Sequence, residues 1–245
     1  MIVFCLADVG CEAGSFSGCF RKDPTFVDLG EIFCSDTGAE GHYVKKWEMP
    51  SAPSISRFDE YLEFLRGDER HFYWLDIKFH DLNRFNPPQF DLSDPPLIIQ
   101  RIVDKRDAIL LVDWANPLRG ACFKIQSLEI KSSHVEKSEG KAGYREVTNT
   151  SLTISTIRSA IKRRGTFRVV ENYLVNHKNV FRLDYEAILE GDDATAVRAA
   201  LGNWIGVSIL SESDSRYRIN DWPSWFDLDL ARSVLEGTSA HWWAT

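Results

Sequence analysis

Three things are missing from this 245-residue sequence, and each argues against a class of protein. No apolar run approaches the roughly 20 residues that a membrane span requires. The five cysteines (Cys5, Cys11, Cys19, Cys34, Cys122) follow no Cys-x-x-Cys or Cys/His spacing, which argues against a zinc site and fits free thiols in a reducing cytosol. Positive charge is not in excess: 29 Lys and Arg against 36 Asp and Glu leave a net charge of −7. The basic footprint of a general nucleic-acid binder is therefore absent. A local anion site stays open, because backbone amides bind anions without any net charge. The opening residues 1–7 carry no basic leader and read as a strand, so a cytoplasmic location is expected.

What is present is the pattern of one α/β domain over residues 1–245. Hydrophobic residues make up 44% and charged residues 27%, enough for one sizeable core. Residues 2–7 and 108–112 are short continuous apolar runs, as buried parallel strands require. Further strands are predicted at 25–29, 71–79 and 180–183. A helix is predicted from Ser56 to the capping Gly67, with Phe58, Leu62 and Leu65 on one face. Another starts at Asp94-Pro95 and buries Leu97, Ile98 and Ile102. Asn116-Pro117 opens a third, and a long helical pattern over 152–176 is expected to break near Gly165. Residues 194–205 are amphipathic, and the tail with Trp222, Trp225, Trp242 and Trp243 is expected to pack on the body. Residues 35–55 read as an irregular excursion and 133–148 as a mobile loop. Strands alternating with helices mean crossovers, a mostly parallel sheet and helices on both faces. Ligands of such sheets sit at the carboxyl ends of the strands. That directs attention to residues 8–18 and to those following Phe79 and Val112.

The loop after the first strand, Gly10-Cys11-Glu12-Ala13-Gly14-Ser15, has the glycines that let backbone amides approach an anion. It lacks the GxxxxGK[ST] pattern, so a nucleotide kinase of the P-loop class is disfavoured. Two readings of this stretch remain: a bland tight turn, or an anion cradle.

Several segments in series resemble sulfotransferases that use PAPS (3′-phosphoadenosine 5′-phosphosulfate). Residues 11–16 resemble their first loop, matching at Gly14 and Ser15, with Glu12 at its basic position and Phe16 at a hydroxyl position. Residues 28–33 resemble a segment of bacterial members. Residues 75–80 resemble the strand leading to a Lys-x-His motif. Residues 108–122 resemble the strand–helix segment that holds the 3′-phosphate, with Trp114-Ala115 where an arginine is usual. Residues 182–189 and 201–207 resemble the family's later motifs. The resemblance implies a P-loop-like sulfotransferase architecture, with PAPS as co-substrate and a small-molecule or carbohydrate acceptor. It implies Gly14, Ser15, Ser17, Asn116, Arg119 and Tyr185 around the nucleotide, and no metal.

Sulfuryl transfer requires an aligned acceptor, a base and a cation for the leaving phosphate. Lys78 is the candidate cation. His80 and Glu31 are the rival bases: an unshifted imidazole titrates near neutrality, and the resemblance to bacterial members implies a glutamate near this place as the usual candidate. The departures at Glu12, Phe16 and Trp114-Ala115 keep an alternative open, a binding protein that retains the fold without the chemistry. The basic run Lys162-Arg163-Arg164 with Arg168 reads as a solvated helix face or as a site for an anionic acceptor.

Overall fold

A computed structural model describes residues 1–7, 17–20, 23–33, 43–48, 54–86, 95–105, 107–123, 125, 149–189, 194–207 and 222–244. Gly14 and Ser15 of the first loop, most of the 35–55 excursion and the 133–148 loop lie outside them. Five parallel strands form one sheet in the order β2-β3-β1-β4-β5, with β1 Ile2–Ala7, β2 Phe26–Glu31, β3 Phe72–Lys78, β4 Ala108–Asp113 and β5 Val180–Asp184. The helices are α1 Ile55–Arg66, α2 Leu97–Asp104, α3 Asn149–Leu174, α4 Tyr185–Leu189, α5 Ala194–Ile205 and α6 Leu228–Leu235. This is the α/β class expected from the alternating pattern. No helix among the described residues is long and apolar enough to cross a membrane.

The chain divides into two compact units, Met1–Asp113 with Phe167–Arg216, and Trp114–Thr166 with Tyr217–Thr245. In the first unit the sheet has two different faces. Ile2, Phe4 and Leu6 of β1, Leu75 and Ile77 of β3, and Ile109 and Leu111 of β4 join one core with Phe58, Tyr61, Leu62 and Leu65 of α1. Ile98, Ile99 and Ile102 of α2 and Phe167, Val170 and Leu174 of α3 complete it. The opposite face begins with an aromatic group in which Phe20 meets Phe26, Phe72 and Trp74 at centroid distances of 5.7, 6.0 and 5.7 Å. Toward the carboxyl ends of the strands this second face turns polar.

Helix starts differ from the sequence expectation by one or two residues, for identifiable reasons. The cap of α1 is Ser54, whose Oγ accepts the Arg57 N–H at 3.3 Å, and not Ser56. The cap position of α2 is Pro96, which has no side-chain acceptor. Asn86, eleven residues earlier, accepts the Leu97 N–H at 3.0 Å instead, satisfying an amide that a capping side chain would otherwise take.

The second unit has its own core. Leu118, Ala121 and Cys122 meet Ile157 and Ala160 of α3, Phe226, Ala231 and Leu235, and the tail residues Trp243 and Ala244. Asn116 opens the helical residues 117–123: its Oδ1 accepts the N–H groups of Leu118 at 3.0 Å and Arg119 at 3.3 Å, and its Nδ2 donates to the Trp243 carbonyl at 2.9 Å. A side-chain carbon on Gly120 would come within 2.5 Å of the buried Trp114 ring. Gly120→Ala therefore forces the indole to shift, and an unfolding titration is expected to show a loss of about 1–3 kcal/mol.

Helix α3 runs unbroken through Gly165, contrary to the break expected there. A side-chain carbon at Gly165 would meet nothing within 4 Å. Gly165→Ala should accordingly raise stability by about 0.5–1 kcal/mol, measured by thermal melting.

Candidate active site

In this strand order the connection after β1 leads to β2 on one side of the sheet, while the connection after its neighbour β4 leads to β5 on the other. The carboxyl end of β1 is thus a topological switch point, where sheets of this kind bind ligands. A cluster of charged residues lies on the adjacent strands β3 and β2 at that end.

Strand β3 is buried throughout, and its alternation places Phe72, Trp74, Asp76 and Lys78 on the polar face. The Asp76 carboxyl is 5% exposed and accepts the Trp74 indole N–H at 2.7 Å. Lys78, its side chain 7% exposed, puts Nζ 3.1 Å from Oε1 of Glu31, whose side chain is 45% exposed. Glu31 reaches this position through a bulge. Asp28 pairs with Trp74 and Glu31 with Asp76, so β2 carries one extra residue between them. Gly30 absorbs it with φ 58°, a conformation that favours glycine. Asp28 fixes the bulge: Oδ1 accepts the Gly30 N–H at 3.0 Å and Oδ2 accepts the Ser17 hydroxyl at 2.6 Å.

Burial pushes the Asp76 carboxyl up to about 7, against the pull of the Lys78 charge and the Trp74 hydrogen bond; Asp28 and Glu31 push it further up. For Lys78, burial pulls downward, but the charges of Glu31, Asp76 and Cys5 outweigh it and hold the ammonium above its ordinary range. Lys78 is therefore a buried cation that stays charged.

Of the residues singled out by sequence, the structure brings Lys78 and Glu31 together and ties Ser17 to β2. Strand β3 ends at Lys78, and Phe79–Asp81 form a 3₁₀ turn, so strand alternation does not extend to His80. The His80 side chain lies outside the described residues, as do Gly14 and Ser15. Tyr185, the first residue of α4, is fully buried. Asn116 and Arg119 belong to the second unit. Asn116 is the helix cap described above, and the Arg119 guanidinium lies over the Trp222 ring at 5.5 Å. Trp114 is buried and 5.5 Å from the Phe123 ring. Burial pushes the neighbouring Cys122 thiol up to about 12, which makes it a packing group and not a nucleophile. Asp76 escaped the sequence reading, although a lone acid in an apolar strand, two residues before a lysine, was the visible signal. No cluster of three or more His, Cys, Asp or Glu residues able to hold a metal occurs among the described residues.

The fold is similar to the crystal structure of a sulfotransferase from Alicyclobacillus acidocaldarius, with a TM-score of 0.51 and 15% identity, covering 95% of this chain and 88% of that one. Mouse sulfotransferase SULT7A1 complexed with PAP is a further match, with a TM-score of 0.46 and 11% identity, covering 94% of this chain and 66% of that one. No family model matches the chain, and no curated protein matches its sequence. The first likeness establishes a sulfotransferase-like α/β fold.

Proposed function

We propose that the protein is a sulfotransferase that moves a sulfuryl group from PAPS to a hydroxyl or amine of a small molecule or carbohydrate in the cytoplasm. The observation that carries this reading is the Lys78–Glu31 pair at 3.1 Å, set at the carboxyl ends of neighbouring strands beside the switch point. The donor set fits a phosphosulfate in one respect: it offers a buried ammonium that is held charged. PAPS would supply the sulfuryl group. Lys78 would neutralise charge gathering on the phosphate oxygen that leaves the sulfur. Glu31, exposed and next to it, would take the proton of the acceptor as the new oxygen–sulfur or nitrogen–sulfur bond forms, with His80 the rival for that role. Gly14, Ser15 and Ser17 are proposed to face the nucleotide from the first loop, and Asn116, Arg119 and Tyr185 from the later segments.

A second reading, a binding protein without the chemistry, is favoured by one feature. Three acidic side chains interact with one another here, Asp28 and Glu31 with Asp76, and a single described cation, Lys78, meets Glu31 and Asp76. Two measurements separate the readings. Adenosine 3′,5′-bisphosphate at a hundredfold excess over its Kd should raise stability by about 2.7 kcal/mol. Radiolabelled sulfate from PAPS should then appear on an acceptor. Stabilisation without transfer to any hydroxyl or amine acceptor would leave only the binding protein. No stabilisation at millimolar bisphosphate would remove the nucleotide from both readings.

A further inference from the structure

The buried carboxyl of Asp76 has no part in the chemistry just described, yet its position ties it to both groups that do. It is two residues from Lys78 on the same face of β3, opposite Glu31 on β2 and opposite Cys5 on β1. A carboxylate shut away from water is costly unless it meets a cation or carries a proton. Lys78 is equally buried, and its paired carboxylate, Glu31, is half in solvent. If Glu31 accepts a proton, Lys78 loses that counter-charge while still enclosed by the protein. A buried carboxyl beside it can then balance the ammonium.

We propose that Asp76 is the positioning residue of this site, a buried carboxyl that keeps Lys78 charged and in place while Glu31 changes its protonation. The inference rests on the assignment of Glu31 as proton acceptor. The charged and titratable groups facing Asp76 among the described residues are Lys78 on its own strand, Asp28 and Glu31 on β2, and Cys5 on β1. Asp28 is engaged with the Ser17 hydroxyl and the Gly30 N–H. Among the described residues, Glu31 and Asp76 give Lys78 one wet and one dry carboxyl neighbour. When Glu31 is ionised, its charge favours the protonated form of Asp76. When Glu31 gains a proton, Asp76 releases one and balances the ammonium. The near-neutral midpoint of Asp76, raised in part by Glu31 and opposed by Lys78, fits such an exchange.

A carboxyl-carbon NMR titration of the whole chain, with no ligand, tests this directly. The Asp76 signal is expected to titrate near 7 in the wild type, lower in Glu31→Gln and higher in Lys78→Met. A midpoint that either substitution leaves in place overturns the proposal, and both variants keep Asp76, so its own folding role does not intervene. The second readout is adenosine 3′,5′-bisphosphate affinity between about pH 6 and about pH 9. Glu31→Gln should bind evenly across that range apart from the ligand's own titration. The double variant Glu31→Gln/Asp76→Asn should lose roughly tenfold per pH unit once the ammonium deprotonates. Identical profiles would overturn the proposal. If neither variant nor the wild type binds the bisphosphate at any pH, the nucleotide reading fails, and the carboxyl titration alone decides the role of Asp76.

Discussion

Replacing Lys78 by Met is expected to reduce sulfuryl transfer by roughly 10²–10³-fold, the usual effect of removing one preorganised charge donor from a transition state. Methionine keeps most of the apolar stem, so the strand end stays filled where an alanine would leave a void. The loss should fall on kcat more than on KM, because charge on the leaving oxygen develops as its bond to sulfur breaks. Glu31→Gln is expected to lower kcat by roughly 10²–10⁴-fold if Glu31 is the base. The two variants separate in their affinity for adenosine 3′,5′-bisphosphate. Lys78→Met weakens it, because the cation is gone. Glu31→Gln does not, because a carboxylate has been removed from beside an anion site. Steady-state kinetics with calorimetry of bisphosphate binding gives all these quantities. Transfer at the wild-type rate in Lys78→Met would take Lys78 out of the mechanism. Full activity in Glu31→Gln would pass the role of base to His80.

The parts of the fold legible in the sequence were those governed by short-range patterning. The continuous apolar runs of β1 and β4 and the stripe of Phe58, Leu62 and Leu65 each follow from burial on one or both faces. Boundaries were less legible where a distant residue decides them. The start of α2 depends on Asn86, which no capping pattern near residues 94–97 reveals. Strand β2 runs to Glu31, two residues past its expected end, because Gly30 adopts a positive φ that Asp28 secures. The same bulge explains why the site was half legible. Lys78 could be read as a strand-end cation. Its meeting with Glu31, 47 positions earlier, depends on strand register, and one extra residue in β2 sets that register. Asp76 was opaque for a related reason: its significance lies in which neighbours three strands bring to one face, and the run Leu75-Asp76-Ile77 names none of them. At Trp114 the sequence showed only a departure from the motif it resembles, and the structure gives the residue a packing role, since the indole lies against Gly120 and near Phe123.

Asp76 also makes stability depend on pH in the direction opposite to ordinary acid denaturation. Its carboxyl titrates at about 7 in the folded chain against an ordinary value of 3.8 when unfolded. Between those values the native state holds a proton that the unfolded state has released. Unfolding therefore releases a proton, and the free energy of unfolding falls as pH rises. The contribution is complete below 3.8, is lost progressively up to about 7 and changes no further above it. Each pH unit between the two values removes about 1.4 kcal/mol, so the whole loss is on the order of 4 kcal/mol. Aspartates with depressed values, such as Asp68, whose carboxylate is hydrogen-bonded by His71 and by the Arg70 N–H, contribute the opposite slope. Their share is lost as pH falls through their folded values. The comparison that isolates Asp76 is thus wild type against Asp76→Asn, in which the amide oxygen still accepts the Trp74 indole N–H. Urea titrations across this range should show the difference between the two proteins shifting toward the variant by about 4 kcal/mol as pH rises. A constant difference from acid to neutral pH would mean that Asp76 titrates in the folded chain as it does in the unfolded one and is ionised at neutral pH, and the proton exchange with Glu31 would have no reservoir to draw on.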